Sequence, residues 1–342
     1  MDNKAEGEVQ EYDFIAIGDT VTDAFIKIDH ASVIRREDEK GSVEEELCFT
    51  NGAKIPYESV DVIKGVGNSA NAAVSASRLG LRSAFVSDVG NDENGRDILK
   101  TLEGQGVDTG YIRVHDGMVS NYHYVLMHGA ERTILIKHQE YPYHLPDVGN
   151  PKWLYFSSVG ENSLDYHAEI ADYLKTHKEV KLAFQPGTFQ IKLGVESLKD
   201  LYADTEIFFC NVEEARIILK SSEPDPAKLP KLMCGAGPKM SVVTDGPKGA
   251  YAHNTYTGKT YFMPPYPDPK PPVSRTGAGD ACSSTITVAL ALGLPFETAL
   301  QWGPINSMNV VQHVGAQTGL LTREALEKLL ADRPENYVAK EI

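Results

Sequence analysis

The segment from Pro272 to Ala281, with the sequence Pro-Val-Ser-Arg-Thr-Gly-Ala-Gly-Asp-Ala, constrains the fold of the chain more than any other. Prolines at positions 267, 269, 271 and 272 keep the approach to this segment extended, because proline disfavours helix at its own position and at the one before. Gly277 to Gly279 then make a tight turn with almost no side chain. From Ala281 to Leu292 apolar side chains recur with helical spacing, and Gly293 ends the pattern. The sequence therefore predicts a turn that leads directly into a helix.

A small-residue turn at the start of a helix is a site for anions. It leaves several backbone N–H groups free and pointing at one place, where the helix dipole adds partial positive charge. Asp280 lies in this turn, although its carboxylate repels the anion that the turn attracts. A carboxylate that takes a proton from an attacking hydroxyl, while the amides hold a transferring phosphoryl group, explains that placement. The competing interpretation is that Asp280 only caps the helix.

The composition limits the partners of the chain. Its 342 residues carry a formal net charge of -15 at pH 7, which disfavours binding to nucleic acids and to anionic membranes. The four cysteines stand far apart with no C-x-x-C pair, which excludes a zinc knuckle and argues against a disulfide scaffold. The polar N-terminus does not have the pattern of a signal peptide, and no apolar run approaches membrane-spanning length. We therefore expect a soluble, cytoplasmic protein.

Short apolar strands alternate with helical segments along most of the chain. The predicted strands with buried patterns are Tyr12 to Ile17, Ser83 to Val89, Trp153 to Ser157, Lys181 to Phe184, Ile207 to Cys210 and Ser241 to Thr244. This alternation predicts an α/β fold with a mostly parallel sheet and helices on both of its faces.

Two stretches, residues 24–63 and 111–138, interrupt the alternation with short strand-like pieces. The second contains a predicted hairpin, in which Tyr122 to Met127 and Thr133 to Lys137 flank a turn. We expect the two insertions to meet in space as a small β-sheet lid. Two unrelated surface hairpins are the alternative.

Two groups of residues are candidates for binding an acceptor. Asp19 and Asp23 follow the first strand, where ligands lie in open α/β sheets, although turn and capping chemistry explains them as well. Gly67 and Asn71 lie at the start of a helix that Asn68 is predicted to cap. Small residues there allow a ligand to approach closely, and the Asn71 amide offers a donor and an acceptor suited to a hydroxyl-rich substrate.

Two further loops follow predicted strands. Asn211 and Glu214 stand three residues apart at a helix start, a spacing that suits oxygen ligands of Mg²⁺ and suits a capping box equally well. The turn from Thr244 to Gly249 contains two glycines and a lysine, as expected of a nucleotide-lining turn or of an ordinary turn before a hairpin. The carboxyl ends of parallel strands share one edge of a sheet, so these loops should converge with the Asp280 turn.

Taken together, these motifs resemble the ribokinase-like (PfkB-type) family of sugar and nucleoside kinases. The matching segments follow the order of that family over nearly the whole chain; they are Gly67-x-x-x-Asn71, Gly90-Asn91-Asp92-x-x-Gly95, Asn211-x-x-Glu214, Thr244 to Gly249, and Gly277-Ala278-Gly279-Asp280. The resemblance implies one domain over residues 1–342, built as a three-layer sandwich around a mostly parallel sheet, with the lid as an insertion.

The resemblance also implies a role for each matching residue. Asp280 would be the general base that activates a substrate hydroxyl, and the amides of Gly277, Ala278 and Gly279 would form the anion hole. The residues implied for the cofactors and the acceptor are Asn211 and Glu214 for Mg²⁺ and the phosphates, Thr244, Gly246, Gly249 and Asn306 for ATP, and Asp23, Gly67 and Asn71 for the sugar.

Ser274 and Arg275 stand where members of the family usually carry Asp-Thr. The missing aspartate belongs to a loop that holds a monovalent cation in many relatives, so we expect little activation by potassium. Arg275 adds a fixed positive charge beside the anion hole, and we place it with the ATP-binding residues. It could instead contact an anionic substrate, and the alternative to both is a solvent-facing arginine.

The sequence thus predicts a Mg·ATP-dependent kinase that phosphorylates a hydroxymethyl-type alcohol on a sugar or nucleoside. Two alternatives stay open. One is a phosphosugar kinase, which would need basic residues at the far end of the sugar, with Arg275, Lys64 and Arg132 as the candidates. The other is a catalytically silent sugar or nucleotide sensor. Whether two subunits form a homodimer through the lid is left open as well.

Overall fold

The computed structural model describes residues 11–37, 43–129 and 131–342. The polar segment 1–10, part of the charged stretch from Arg35 to Glu46, and residue 130 in the predicted lid turn lie outside these residues.

The described residues form strands and helices that alternate along much of the chain. The strands are β1 (Phe14–Ile17), β2 (Val21–Lys27), β3 (Ser32–Glu37), β4 (Val43–Cys48), β5 (Ser59–Val66), β6 (Ser83–Gly90), β7 (Ile112–His115), β8 (Tyr122–His128), β9 (Glu131–Leu135), β10 (Trp153–Phe156), β11 (Lys181–Phe184), β12 (Thr205–Asn211), β13 (Met240–Thr244), β14 (Ala250–Asn254), β15 (Lys259–Met263) and β16 (Lys340–Glu341). The helices are α1 (Asn68–Arg78), α2 (Glu93–Gly104), α3 (Leu164–Thr176), α4 (Thr188–Ser197), α5 (Lys199–Asp204), α6 (Val212–Leu219), α7 (Leu229–Cys234), α8 (Ala278–Ala291), α9 (Phe296–Val310) and α10 (Arg323–Ala331).

Among the described residues, a 10-stranded central sheet runs in the order β16-β15-β14-β13-β12-β11-β10-β1-β6-β7. The strands from β13 to β7 pair in parallel, and β14, β15 and β16 add antiparallel strands at one edge. Strands β1 and β10 are apolar and buried along their whole length, as expected where helices cover both faces of a parallel sheet. The predicted α/β fold with a mostly parallel sheet is confirmed.

The two faces of the sheet have separate hydrophobic cores, because successive side chains of a strand point in opposite directions. In β1, Phe14 and Ala16 belong to one core, and Ile15 and Ile17 belong to the other. The first core includes residues of α1, α2, α8, α9 and α10, and the second includes residues of α3, α5, α6 and α7. Helices therefore sandwich the sheet, and its carboxyl edge remains open for a site.

A second sheet has the four strands β5-β2-β8-β9 and forms the lid. Strands β2 and β8 pair in parallel, and β5 and β9 lie antiparallel at the two edges. The predicted small sheet built from two separate insertions is therefore present. Strands β3 and β4 form an additional two-stranded ribbon, in which Arg35 Nε lies 2.6 Å from Glu45 Oε1.

Some boundaries differ from the predicted ones. The lid begins at Val21, and β7 lies at the edge of the central sheet although its residues fall within 111–138. Helix α8 begins at Ala278, three residues earlier than predicted, so Asp280 lies inside its first turn. The prediction that Asn68 caps α1 is wrong, because Gly67 occupies the N-cap and Asn68 is the first helical residue.

Candidate active site

A cleft of about 620 Å³ lies between the carboxyl edge of the central sheet and the lid. Asp19, Ser158, Gln185 and Asn211, which follow or end β1, β10, β11 and β12, line its floor. This is the edge at which ligands bind in open α/β sheets. The lid contributes Asp23, His123, Arg132, Ile134 and Ile136 to the opposite wall.

Asp280 lies at the centre of this cleft, and three side-chain amides donate hydrogen bonds to its carboxylate. Asn68 Nδ2 and Gln185 Nε2 lie 3.1 and 3.0 Å from Oδ1, and Asn71 Nδ2 lies 2.8 Å from Oδ2. These bonds tie the first turn of α8 to the start of α1 and to the end of β11. Capping alone, the competing interpretation of Asp280, does not account for three convergent amides.

Two of the three amides, those of Gln185 and Asn71, cannot turn their oxygens towards Asp280, because other donors hold those oxygens. Gln185 Oε1 accepts hydrogen bonds from the Tyr155 hydroxyl and from Ser283 Oγ, the latter at 3.0 Å. Asn71 Oδ1 accepts a hydrogen bond from Gln317 Nε2 at 3.0 Å. A second layer of buried side chains thus fixes which end of these two amides faces the carboxylate.

The environment of Asp280 suits a carboxylate that accepts a proton. Burial raises the pKa of its carboxyl above the ordinary value, while the amide hydrogen bonds and the positive charge of Arg132 oppose that rise. A carboxylate offers about four lone-pair sites, and the three amides use two at Oδ1 and one at Oδ2. One site at Oδ2 therefore remains for a hydroxyl in the cleft.

The turn before α8 has the conformation that the anion-site hypothesis needs. Gly277 is the N-cap of α8 with φ of 81°, and a Cβ atom there would lie 2.4 Å from the Ala316 Cβ atom. Only glycine fits this position without strain. Gly277 and Gly279 line the cleft beside Asp280, and Ala278 and Gly279 line a second cavity.

Asn211 and Glu214 form a capping box, one of the two interpretations of their spacing, the other being a role as Mg²⁺ ligands. Asn211 Oδ1 accepts a bond from the Glu214 N–H at 2.8 Å, and Glu214 Oε2 accepts one from the Asn211 N–H at 2.9 Å. Both residues also line the cleft. Burial raises the pKa of Glu214, and the negative charge of Asp280 adds to that rise. The two roles are compatible, since Glu214 Oε1 accepts no bond from the described residues.

The second cavity, of about 290 Å³, adjoins the cleft and is mostly apolar. Thr244, Gly246 and Gly249 line one side, as expected from the sequence, and Pro304, Met308 and Val311 of the α9 region line the other. Gly279 and Arg275 border both this cavity and the cleft. The geometry would suit a molecule with an apolar planar end and an anionic chain that reaches the glycine turn.

Asn306, which the family resemblance placed beside ATP, is not among the residues that line either cavity. Its side chain is fully buried, donates to Thr285 Oγ1 at 2.7 Å and accepts from the Leu321 N–H at 2.9 Å. It joins α9 to α8 and to the segment before α10. The neighbouring Ser307 and Met308, one and two positions later on the helix, face the cavity instead.

Arg275 and Ser274 point in different directions. Ser274 is buried, and its Oγ accepts a bond from the Thr276 N–H at 3.2 Å. Arg275 borders the cleft but is more than half exposed, and its Nη1 lies 3.9 Å from Glu131 Oε1 on the lid. The arginine thus spans the gap between lid and turn without being buried in the anion site. Weak dependence on potassium stays a prediction.

The residues expected to hold the acceptor lie together. Asp23, Gly67 and Asn71 line the cleft beside Asp280. Gly67 has φ of 113°, and a Cβ atom there would lie 2.8 Å from the Asp19 carbonyl oxygen, so a side chain would push β1 and α1 apart.

Comparison with protein families identifies the chain. Residues 61–323 match the model of the pfkB family of carbohydrate kinases, which spans the glycine turn, Asp280 and the capping box. The chain belongs to this family. It is therefore a phosphotransferase with an alcohol group as acceptor.

Curated relatives of this pfkB-family kinase include two from Bacillus subtilis. Ribokinase is 27% identical over 296 residues, which are 82% of this chain and 92% of the relative. 5-Dehydro-2-deoxygluconokinase is 25% identical over 293 residues, with 80% and 89% of the two chains covered.

Solved structures share the fold of the kinase. Arabidopsis thaliana ribokinase complexed with ribose and ATP has a TM-score of 0.76 at 19% identity, with 94% of this chain and 99% of that chain covered. The nucleoside kinase of Methanocaldococcus jannaschii has a TM-score of 0.73 at 18% identity, with the same coverage. The ribokinase-like fold predicted from the motifs is confirmed.

Sequence reasoning missed Asn68, Gln185 and Gln317, which orient or contact Asp280. Asn68 was interpreted as a helix cap, and Gln185 follows a strand with no recognisable motif around it. The only signal was the position of Gln185 at the carboxyl end of a buried strand, where functional side chains cluster.

Within the described residues, no helix is long and apolar enough to cross a bilayer. The cytoplasmic location stays a prediction.

We predict that replacing Asn306 by alanine lowers the free energy of unfolding by about 1–3 kcal/mol, because a buried hydroxyl and a buried N–H lose their partner. Urea unfolding measures this loss. The dissociation constant for ATP, measured by calorimetry, should stay close to the wild-type value, because Asn306 lines neither cavity.

Gln301→Ala, on the same helix and only partly buried, is the matched control for a side-chain truncation in α9. Weaker ATP binding by Asn306→Ala with unchanged unfolding would contradict the structural role and return Asn306 to the nucleotide site.

Proposed function

We propose that the chain is an ATP-dependent kinase that transfers the γ-phosphoryl group of ATP to a hydroxyl, of the hydroxymethyl type, on a sugar or nucleoside. The observation that carries this proposal is the Asp280 carboxylate, held by three side-chain amides between the cleft and the glycine turn. Its remaining lone pair at Oδ2 faces the position that an acceptor hydroxyl would occupy. A sensor that only binds ligands has no need of such a base.

In the proposed reaction, the acceptor hydroxyl donates a hydrogen bond to Asp280 Oδ2. As the oxygen attacks the γ-phosphorus, its proton moves to the carboxylate and a new P–O bond forms. The bond from the γ-phosphorus to the β,γ-bridging oxygen breaks, and ADP leaves with that electron pair. The protein contributes position and charge, and it forms no covalent intermediate.

The amides of Gly277, Ala278 and Gly279 would hold the transferring phosphoryl group. They begin α8, whose dipole places partial positive charge at the same point. Such donors are in place before the reaction and stabilise the charge that develops on the phosphoryl oxygens. Arg275, which borders cleft and second cavity, would add positive charge near the β- and γ-phosphates.

ATP would place its base in the second cavity, between the loop of Thr244, Gly246 and Gly249 and helix α9. The phosphates would then extend past Gly279 into the cleft. The ribokinase of Arabidopsis thaliana, which shares the fold, is described as complexed with ribose and ATP, and this supports ATP as the donor.

The residues at the cleft also fit Mg²⁺ as a companion of ATP. Glu214 Oε1 and Asn211 offer oxygen ligands, and burial, together with the nearby charge of Asp280, raises the pKa of Glu214. No group of three or more His, Cys, Asp or Glu residues with metal-binding geometry occurs among the described residues. The ion would therefore take most of its ligands from phosphate oxygens and water. When bound, it neutralises charge on the β- and γ-phosphates.

A phosphosugar kinase remains the second candidate, because Arg132 and Lys192 both line the cleft. Lys64, an earlier candidate for that role, is not among the lining residues and forms an ion pair with Asp97 instead. The acceptor screen below includes phosphorylated sugars for this reason.

Exposed apolar side chains on the lid support the proposal that two subunits form a homodimer through it. Val62, Tyr124 and Leu135 lie in one row across the outer face of the lid, since Ala24 pairs with Val62 and Tyr124, and Tyr124 pairs with Leu135. They are exposed by 47%, 49% and 52%. Exposed apolar rows of this kind mark association surfaces.

We predict ADP release with at least one acceptor in a coupled assay over pentoses, hexoses, nucleosides and phosphosugars, with ATP as donor. Asp280→Asn should lower kcat by at least ~100-fold, because a neutral amide cannot accept the proton. The KM for ATP should change little, since the amide turn remains intact.

Asp165→Asn is the matched control for the loss of an aspartate charge, because Asp165 is exposed in the first turn of α3. A kcat of Asp280→Asn within a few-fold of the wild-type value would refute the base mechanism. No ADP release with any acceptor would refute the proposed activity.

We predict that Glu214→Gln raises the Mg²⁺ concentration for half-maximal activity, because the side chain loses its charge. Glutamine can still accept the hydrogen bond of the capping box, so the melting temperature should stay nearly unchanged. The measurement is a Mg²⁺ titration at fixed ATP.

Glu213→Gln, the exposed neighbour on the same helix turn, is the control. A melting temperature that falls while the Mg²⁺ dependence stays the same would mean that Glu214 serves only as a helix cap.

We predict that the purified protein sediments as a dimer and that Val62→Glu together with Leu135→Glu makes it a monomer, because two charges would be buried in the apolar row. Analytical ultracentrifugation over a range of concentrations measures both. Wild-type protein that is monomeric at every concentration would exclude the lid dimer.

A further inference from the structure

The hydroxyl of Tyr155 has no part in the proposed phosphoryl transfer, yet only one side chain separates it from the base. Tyr155 on β10 is fully buried, and its hydroxyl donates a hydrogen bond to Gln185 Oε1. Gln185 in turn donates from Nε2 to Asp280 Oδ1 at 3.0 Å. The tyrosine thus reaches Asp280 through a single amide.

Ser283 on α8 is the second donor to Gln185 Oε1. Its Oγ lies 3.0 Å from that oxygen and 2.7 Å from the Tyr155 hydroxyl oxygen. The carbonyl oxygen of Gly279, at 2.8 Å, competes for the single proton of Ser283. Because Ser283 can give its proton to Gly279 instead, Tyr155 is the more committed donor to Gln185.

The two ends of the Gln185 amide have opposite effects on Asp280. The N–H stabilises the ionised carboxylate, whereas the carbonyl oxygen would repel it and favour the protonated acid. A donor on Oε1 holds that oxygen away from Asp280 and polarises the amide, so that its N–H donates more strongly. Burial and the charge of Asp280 raise the pKa of Tyr155 well above its ordinary value, so the phenol stays protonated and continues to donate.

Asp280 depends on such donors, because burial raises its pKa and so favours the protonated form, which cannot accept the proton of a hydroxyl. Besides Tyr155, the titratable groups that line the cleft or adjoin Asp280 are Arg132 on β9, Lys192 on α4, Cys210 on β12, Glu214 on α6, Arg275 before α8, Cys282 on α8, and the pairs Asp23 with His123 and Asp19 with His138. A change at Tyr155 leaves all of these groups in place. An altered ionisation of Asp280 would therefore report on its contact with Gln185.

We infer that Tyr155 is a positioning residue for the kinase: by holding Gln185 Oε1, it keeps the Gln185 N–H on Asp280 and so keeps the base ionised at neutral pH. This inference rests on the proposed kinase function, in which Asp280 accepts the proton of the acceptor. Tyr155 is not among the residues that line the cleft, so it acts through Gln185 and not on a substrate.

The experiment measures kcat/KM against pH, with saturating Mg·ATP and the acceptor that is phosphorylated fastest in the screen. The variants are Tyr155→Phe, which keeps the ring and removes the donor, Gln185→Met, which keeps a long side chain and removes the amide, and the double variant. Tyr202→Phe is the matched control, because Tyr202 is also fully buried and its hydroxyl has no hydrogen-bond partner among the described residues.

In the wild type, kcat/KM should fall at low pH as Asp280 becomes protonated. Loss of the Tyr155 donor should raise the pKa of Asp280, so this fall should begin at a pH higher by about 0.5 to 1 unit, the scale of one hydrogen bond. Gln185→Met should move the acid limb in the same direction by at least as much. The double variant should match Gln185→Met, because Tyr155 acts only through the amide.

On the plateau above the acid limb, kcat/KM of Tyr155→Phe should stay close to the wild-type value, since the base is ionised in both proteins. Tyr202→Phe should match the wild type at every pH. An equal loss of kcat/KM by Tyr155→Phe at every pH, with the acid limb unmoved, would overturn the inference, because that result marks a structural role. A full shift by Tyr155→Phe in the Gln185→Met background would also overturn it, since Tyr155 would then not act through the amide.

Carboxyl-carbon NMR of the protein without substrates separates this inference from the proposed activity, with the Asp280 resonance identified by its absence in Asp280→Asn. A pKa of Asp280 that rises in Tyr155→Phe, while no acceptor yields ADP, would refute the kinase proposal alone. ADP release by the wild type, with the same pKa of Asp280 in Tyr155→Phe as in the wild type, would refute the inference alone.

Discussion

The hydrogen bonds from three side-chain amides to Asp280 are the interaction on which the rest of the site depends. They join the start of α1, the end of β11 and the first turn of α8 at one carboxylate. Without them, that half-buried carboxylate would lack hydrogen-bond partners within the protein, which costs free energy. With them, the same charge holds three elements in register and keeps one lone pair free for chemistry. A second layer, which includes Gln317 and Ser283, prevents the amides of Asn71 and Gln185 from turning over.

Several residues that complete the structure of a helix start also line the cleft. Asn211 and Glu214 complete the backbone hydrogen bonding at the start of α6, and both still face the cleft. Gly277, the residue before α8, has a left-handed backbone conformation. Because it has no side chain, it also leaves the amides at the start of α8 open to a ligand. The two explanations offered for such motifs, a structural cap and a ligand site, are therefore not exclusive. A helix start leaves N–H groups free, and the same groups that need capping can bind an anion.

The distribution of charge within the cleft matters more than the net charge of -15. Backbone amides at α8 and the Arg275 side chain make the side near the glycine turn positive, and Arg132 adds positive charge from the lid. Asp19, which follows β1, and Asp23, on the lid, make another part of the cleft acidic. An acidic protein can accommodate phosphate because partial charges on N–H groups act over short distances, where the remote surface carboxylates are screened. The two ends of the cleft thus differ in the ligands that they favour.

The sequence by itself determined the layered α/β fold, the lid built from two insertions, and the glycine turn with Asp280, because these follow from local patterns: apolar runs, strand alternation, and glycines before a helix. It could not decide which amides surround Asp280, because Asn68, Gln185 and Asp280 are separated by more than ninety residues in each case, as the separations of 212 and 95 positions show. The family resemblance implied a place beside ATP for Asn306, whereas its side chain bonds to Thr285 and to the Leu321 N–H. Only the packing of α8 against α9 buries that amide between two backbone segments, and packing is a property of the whole chain and not of any one segment.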